Sequence, residues 1–440
     1  MKNKVLYIVL AVIAAAALIT IFRNGGGEYG SKAEVSVPAT HSSNNVVKAV
    51  TLLIDNSGSM RGYTDFSGNK PQFKHSKKAL LSITGDLMAN CNNILQANSS
   101  AICSGKSYTL EQALTSLSDY SAFSGPITEV DKLIAVAADK AVGDSSVSVL
   151  VSDMILSYGK TTLLTKKDNF YNAHALSDLK TNVRNRFQQL KNAGKEVLIV
   201  KYQSDFNGNY YYNHTENIVP NVYKDSLMAD RPFYFMIVGS KAALNEMCER
   251  NCIPAGYTDI FTTLSLAEND LKTESYSVSQ PEEQPQWILG NPKPKDESKA
   301  ADRIFSVSMS RNIKTTQSQF TFTFAPFALP IYINQNITPT FDETILSSVS
   351  PLIGNAGFTL TTQPYSQLPK EKEVEIIFTS PRYKEFATSS IDDDININAE
   401  NLQGRTWGFN AVIEALYEAY NITDSDVNRI VDLKFNVLKK

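Results

Sequence analysis

Hydrophobic positions along this chain follow different rules in different stretches. From 46 to about 250, short runs of continuous apolar residues alternate with stretches of helical period. Val46 to Ile54 is nearly all apolar and β-branched, the pattern of a strand buried on both faces, and it stops at Asp55. Phe73 to Leu95, rich in Lys, Ala and Leu, reads as helix. Glu129 to Val142 follows as a second helix, with Val130, Leu133, Ile134 and Ala137 on one face and Gly143 as its stop. Val147 to Val151 is a short apolar strand ending at Ser152-Asp153. Leu176 to Ala193 carries Leu179, Val183 and Leu190 on one side and also ends at a glycine, Gly194. Glu196 to Lys201 and Phe233 to Val238 read as strands, and Lys241 to Arg250 as helix. This alternation predicts an α/β domain with a mainly parallel sheet over 46–255. Two stretches inside it are less regular. Gln96 to Phe123 is polar, with a helix-like Leu110–Leu117 segment and no clear strand pair. Asp205-Phe206-Asn207-Gly208-Asn209 reads as a hairpin-like turn.

Beyond 255 the character changes. Pro281, Pro285, Pro292 and Pro294 cluster with Glu, Lys and Gln, which marks 256–300 as a linker or surface excursion. From 301 to 440 the period is two. Gln319-Phe320-Thr321-Phe322-Thr323-Phe324 alternates cleanly, and Glu373-Val374-Glu375-Ile376 less so. This predicts a β-rich C-terminal domain of the α+β kind. One amphipathic helix interrupts it, carrying Phe409, Val412, Ile413, Leu416, Tyr417 and Tyr420, and Val431 to Leu438 reads as a last strand. Asp392-Asp393-Asp394 reads as a solvated acidic loop.

The first 23 residues are a separate object. Lys2 and Lys4 precede Val5 to Phe22, which runs without a charge until Arg23. At helical rise that stretch spans about 27 Å, close to the thickness of a hydrocarbon core. The favoured reading of 1–23 is an uncleaved signal-anchor, a transmembrane helix; a cleaved signal peptide is the second reading and a buried domain helix the third. Lys2 and Lys4 favour an inside N-terminus, placing the bulk of the chain in the periplasm or extracellular space, or secreted if the segment is cleaved. Residues 24–45, Gly-Gly-Gly followed by Ser, Pro, Thr and Asn, read as a flexible tether.

Composition narrows the function. A hydrophobic share of 42% and a charged share of 20% are ordinary for globular protein, and a net charge of −3 excludes a nucleic-acid binder of the usual basic kind. The four cysteines fit an oxidising compartment. Proximity in the sequence favours Cys91–Cys103 and Cys248–Cys252 as bridges, with buried thiols as the other reading. There is no Gly-x-Ser-x-Gly elbow, P-loop, Gly-x-Gly-x-x-Gly after a strand, or His-Glu-x-x-His, so no organic cofactor is expected.

The chemistry-bearing segment is Asp55-Asn56-Ser57-Gly58-Ser59, straight after a buried strand. In open α/β sheets ligands bind beyond the carboxyl ends of strands. One carboxylate and two hydroxyls at alternate positions can converge on one point, and an oxygen-only set suits a hard cation. This segment resembles the first part of the metal-ion-dependent adhesion site of von Willebrand factor A domains. Two more segments extend the resemblance. Gly125-Pro126-Ile127-Thr128 matches the family's loop threonine before a helix, and Ser148 to Asp153 matches its strand-end aspartate. The resemblance covers about 46–250 and implies a Rossmann-like, doubly wound sheet. It further implies that Ser57, Ser59 and Thr128 ligate a divalent cation through hydroxyls, with Asp55 and Asp153 bound directly or through water. Mg²⁺ is the first expectation, with Mn²⁺ or Ca²⁺ open. This chain departs from the family in two places. No strand hairpin is evident before Thr128, and Met154 stands where a glycine often follows the aspartate. Read without the resemblance, Asp55 to Ser59 also makes a polar turn, Thr128 a helix cap and Asp153 a strand-end residue.

The functional expectation is a membrane-anchored, extracytoplasmic protein that uses the cation to bind an acidic side chain of a protein partner. A metal-dependent enzyme or enzyme subunit of the cell envelope, or a purely structural assembly component, are the alternatives.

Overall fold

The computed structural model describes residues 46–64, 79–91, 101–103, 106–125, 128–156, 174–211, 224–250, 252–265, 276–279, 287–290, 305–309, 317, 319–324, 338–351, 357–369, 371–392, 394, 397 and 399–438. The segments 1–23 and 24–45 lie outside these residues. Among the described residues no helix is long and apolar enough to cross a membrane.

A seven-stranded sheet organises the first part of the chain. Its strands are β1 (Ala49–Ile54), β2 (Ala101–Cys103), β3 (Lys106–Tyr108), β4 (Ser146–Ser152), β5 (Lys195–Tyr211), β6 (Lys224–Ser240) and β7 (Tyr257–Thr262), in the order β3-β2-β1-β4-β6-β5-β7. Alternation along each strand fills two cores. Val50, Leu52 and Ile54 of β1, Val147, Val149 and Val151 of β4, and Phe233, Phe235 and Ile237 of β6 face one side. Leu53, Leu150, Tyr234, Met236 and Val238 face the other. Helices α1 (Ala79–Asn90), α2 (Leu110–Leu117) and α5 (Lys241–Glu249) cover the first face. Helices α3 (Val130–Lys140) and α4 (Ala175–Asn192) cover the second. Burial on both sides is why these strands read as unbroken apolar runs.

The sheet is mixed, not mainly parallel. β1 lies parallel to β2 and to β4, but β3, β6, β5 and β7 each pair antiparallel with their neighbours. The cause is the β5–β6 pair. β6 returns along β5 in register from Lys195↔Ser240 to Tyr211↔Lys224 and takes the place beside β4. A doubly buried antiparallel strand carries the same apolar run as a parallel one, so the sequence did not distinguish them. Two local expectations also change. β2 and β3 form an antiparallel pair inside the polar 96–123 stretch. Asp205 to Asn209, expected as a turn, lies in the middle of the 17-residue strand β5.

The C-terminal part is β-rich, with two larger sheets and one two-stranded pair among the described residues. Its strands are β8 (Tyr276–Ser279), β9 (Trp287–Gly290), β10 (Phe305–Met309), β11 (Gln319–Phe324), β12 (Thr338–Phe341), β13 (Leu346–Pro351), β14 (Gly357–Thr362), β15 (Glu371–Pro381), β16 (Ser390–Ile391), β17 (Thr406–Trp407) and β18 (Val427–Leu438). One sheet runs β12-β15-β18-β10-β9 and the other β13-β14-β11-β8. Phe358 of β14 meets Phe378 of β15 at 4.8 Å between ring centroids, which joins the two sheets. The expected 256–300 linker therefore supplies β7 to the first sheet and β8 and β9 to the later ones.

Between β15 and β18 the chain crosses back to the first sheet. β16 and β17 pair briefly, and the amphipathic helix α6 (Phe409–Tyr420) then lies against α4 and the second face. Phe409 stacks on Tyr234 of β6 at 4.5 Å and meets Phe261 of β7 at 5.4 Å. Lys180 of α4 bridges Glu414 and Glu418, each at 2.7 Å. Tyr420 donates its hydroxyl proton to Lys195 O at 2.6 Å. The apolar face of α6 thus completes the outer layer of the α/β part, and the two expected domains interleave.

Phe409→Ala should cost about 3–5 kcal/mol of stability, because it removes a fully buried ring between two strands. Chemical denaturation of the full chain checks this. A loss below about 1 kcal/mol would mean that α6 only rests on the sheet.

Candidate functional site

β1 and β4 deliver the two carboxylates. Asp55 extends the parallel ladder by one step, its N–H donating to Val151 O at 2.9 Å. The chain then turns through Ser57, whose N–H donates to Asp55 Oδ1 at 2.9 Å, an Asx-type turn. A 3-10 turn, Gly58–Tyr63, follows. It places Ser57 Oγ and Ser59 Oγ 3.1 Å apart. The loop is also fastened to the segment before α3. Ser57 forms a parallel bridge with Gly125, Gly58 N–H donates to Gly125 O at 2.8 Å, and Gly125 N–H donates to Asn56 O at 2.9 Å. A Cβ on Gly125 would sit 2.8 Å from Asn56 Oδ1 and 3.1 Å from Asn56 O, so glycine eases this close approach. Thr128 follows three residues on and is buried (3% exposed) at the entry to α3. The cap position itself is Glu129, which makes no side-chain capping bond.

On β4, Ser152 donates its hydroxyl proton to Asp55 Oδ2 at 2.8 Å and accepts from Met154 N–H at 2.9 Å. Asp153 Oδ1 accepts from Ile155 N–H at 3.1 Å. The Ser59 hydroxyl interacts with the Asp153 carboxyl. Asp153 Oδ2 is nonetheless left without a hydrogen bond of normal geometry among the described residues. Met154 has φ +56°, a left-handed conformation that glycine adopts more readily, so this turn stores strain of about 1 kcal/mol. Asp55, Ser57, Ser59 and Asp153 are thus linked to one another, and Thr128 is buried three residues beyond the Gly125 bridge.

The site is deep. Asp153 is 0%, Ser57 2%, Asp55 3% and Ser59 9% exposed. Burial, and next the charge of Asp153, push the Asp55 carboxyl up to about 7, although Ser57 and Ser152 hydrogen bonds pull it down. Burial raises Asp153 as well; the Ser59 and Ile155 hydrogen bonds and the Arg231 guanidinium act against it. Two adjacent buried carboxyls with a spare oxygen, beside hydroxyls, form an oxygen-only donor set that fits a hard divalent cation. Among the described residues there is no group of three or more His, Cys, Asp and Glu side chains that could hold a metal. The expected set contains only two such residues.

Three features of the site escaped sequence reasoning. Ser152, a polar residue closing an apolar strand, orients Asp55; its position beside Asp153 was the available signal. Arg231 of β6 is fully buried near the site, donating to Gln403 O at 2.9 Å and Arg405 O at 3.1 Å and lying 4.8 Å over the Tyr210 ring. Nothing local in the sequence marks it. The third feature is the crossing of β5 over the 3-10 turn. A Cβ on Gly208 would lie 2.6 Å from Gly62 Cα, and one on Gly62 would strike the Phe206 ring. Gly208 therefore serves a backbone crossing, not the turn its neighbours suggested. The nearby Asp394, expected in a solvated loop, is fully buried and accepts from the Tyr210 hydroxyl at 3.1 Å.

The cysteines also differ from expectation. Cys91, Cys248 and Cys252 are buried thiols outside any disulfide, and Cys91 interacts with Cys252. Neither Cys91–Cys103 nor Cys248–Cys252 is formed. Cys91 leaves α1 toward the end of α5, whereas Cys103 ends β2.

No family model, curated protein or solved structure matches this chain.

The buried carboxyls make a pH dependence. In the native metal-free protein Asp55 holds its proton up to about pH 7, against 3.8 for the ordinary group. The stability this gives is full below about pH 4 and is lost as pH rises through about 7. Asp55→Asn, which cannot ionise, should therefore be more stable than the parent at pH 8 in chelator, by on the order of 2–4 kcal/mol. Denaturation curves of both proteins at pH 5 and pH 8 check this. An unchanged difference between the two pH values would mean that Asp55 does not titrate in this window.

Proposed function

We propose that this chain is a von Willebrand factor A-type binding protein. It is held outside a membrane by residues 1–23 and captures an acidic group of a protein partner through a divalent cation at Asp55, Ser57, Ser59, Thr128 and Asp153. The observation that carries this reading is Asp153 Oδ2, a buried carboxylate oxygen without a normal hydrogen bond, beside Ser59 and in the field of Asp55. Two buried carboxyls repel each other unless a proton or a cation lies between them. A cation there would be held largely by neutral hydroxyls and stay under-neutralised, able to take one further oxygen from outside. Mg²⁺ suits this, since it usually keeps several waters in its octahedral shell, one of which an outside oxygen can replace. The chemistry is capture of an oxygen ligand, with Ser59 as the most exposed of the contacting side chains. The extracytoplasmic placement rests on the charge-free run from Val5 to Phe22 and the lysines before it.

Mg²⁺ should raise the melting temperature of the full chain at pH 8, and Asp55→Ala should weaken Mg²⁺ binding about 100-fold or more. Because binding must displace a proton, affinity should fall on the order of tenfold for each pH unit below 7. Titration calorimetry at pH 8 and pH 6 measures both. Absence of heat and of stabilisation at millimolar Mg²⁺ would remove the metal. A pulldown from solubilised membranes, with and without EDTA, tests the capture step. A partner retained through both EDTA and Asp55→Ala would refute metal-mediated binding, and metal-dependent turnover without a stable partner would favour an envelope enzyme.

A further inference from the structure

Cys91 and Cys252 lie far apart in the chain and together in the core. Cys91 directly follows α1, its N–H donating to Leu87 O at 2.9 Å. Cys252 stands three residues beyond α5, its N–H donating to Met247 O at 2.8 Å. The Cys252 thiol donates to Asn90 O at 3.6 Å, the carbonyl of the residue before Cys91. Both thiols are fully buried in the core on the first face of the seven-stranded sheet, and their side chains are hydrogen-bonded to each other. Cys248 is also buried in that core, but the partner of Cys91 there is Cys252.

We propose that Cys91 and Cys252 form a structural disulfide that ties the end of α1 to the exit of α5. The bond is made during folding, by exchange with a disulfide oxidant, either a small-molecule disulfide or the disulfide of a thiol oxidoreductase. The Cys252 thiolate attacks one sulfur of that oxidant, forming a mixed disulfide and expelling one thiolate. Cys91 then gives up its proton and attacks Cys252 Sγ, expelling the second thiolate. Two protein thiols are oxidised, the oxidant is reduced to two thiols, and two electrons pass to it. Full burial then shields the finished bond from reductants. The bridge closes a loop of about 160 residues that contains β2 to β6 and, of the candidate site, Thr128, Asp153 and Arg231, so it restricts the unfolded chain strongly. The inference is independent of the metal reading.

The test uses the full chain, folded in a mixture of reduced and oxidised glutathione, alkylated without reduction, digested and mapped by mass spectrometry. A peptide pair joining Cys91 to Cys252 is expected. The oxidised protein should melt about 5 °C above the reduced one. Cys248→Ser should keep the cross-linked peptide and the shift, and Cys252→Ser should lose both. Cys91 joined to Cys103, Cys248 joined to Cys252, or complete alkylation of Cys91 and Cys252 would overturn the proposal. The parent's peptide map decides even where a variant fails to fold.

Discussion

Asp55 and Asp153 are buried side by side at the carboxyl ends of two neighbouring parallel strands, and much of the surrounding structure answers their mutual repulsion. Their placement is a consequence of the sheet: β1 and β4 pair in register to Ile54↔Val151, so Asp55 stands level with Ser152 and Asp153 follows one residue further on. Donors from three segments act on them. Ser57 N–H and the Ser152 hydroxyl serve Asp55, Ile155 N–H serves Asp153, and Arg231 supplies positive charge from β6. These contacts do not cancel the cost, since both groups stay raised. A buried charged pair of like sign is a structural liability unless something neutralises it. Its location where α/β sheets bind ligands is the physical argument behind the proposed cation.

The same site depends on parts of the chain far from it. Arg231 is held by the carbonyls of Gln403 and Arg405, which lie in the arm between β15 and β18. That arm continues into α6, whose apolar face covers α4, β6 and β7. The C-terminal part is thus more than a spacer. It supplies the outer layer of the first sheet and holds the Arg231 guanidinium near the carboxyls. Lys201, buried on β5, reaches Ser389 of the arm at 2.9 Å, a further tie between the two. The outer layer of the α/β part is thus completed by residues more than 200 positions downstream, which raises contact order.

The sequence was legible where burial follows a simple period. The helices at 130–140, 175–192, 241–249 and 409–420 and the strands β1, β4 and β11 fall close to where apolar spacing placed them. The clustering of Asp55, Ser57, Ser59 and Asp153 was legible because one strand end and one turn carry an unusual set of oxygens. Legibility failed for three physical reasons. Strand direction leaves no mark when both faces are buried, so the antiparallel β5–β6 pair went unseen. Three-residue strands such as β2 and β3 are too short for any period to register. Long-range pairings have no local signal at all. Cys91 meets Cys252, not its neighbour in the sequence, and Arg231 reaches residues more than 170 positions away.

The crossing of β5 over the 3-10 turn bears on how the site could act. Gly62 and Gly208 approach too closely for any side chain, Phe206 packs edge-on against Tyr63 at 5.0 Å, and the Tyr63 hydroxyl donates to Pro232 O at 2.6 Å. The turn that carries Ser59 is therefore clamped from above by β5 and from below by the Gly125 bridge. A clamped loop does not rearrange easily when a ligand arrives. It presents its hydroxyls in a fixed geometry, which lowers the ordering cost of binding and narrows the set of cations and outside oxygens that fit. It also leaves little room. Under the proposed reading, the partner must offer a slender group, such as the carboxylate of a single extended side chain, rather than a broad surface. Rigidity and depth together favour selectivity for one acidic side chain, and that is the form of capture the proposed function requires.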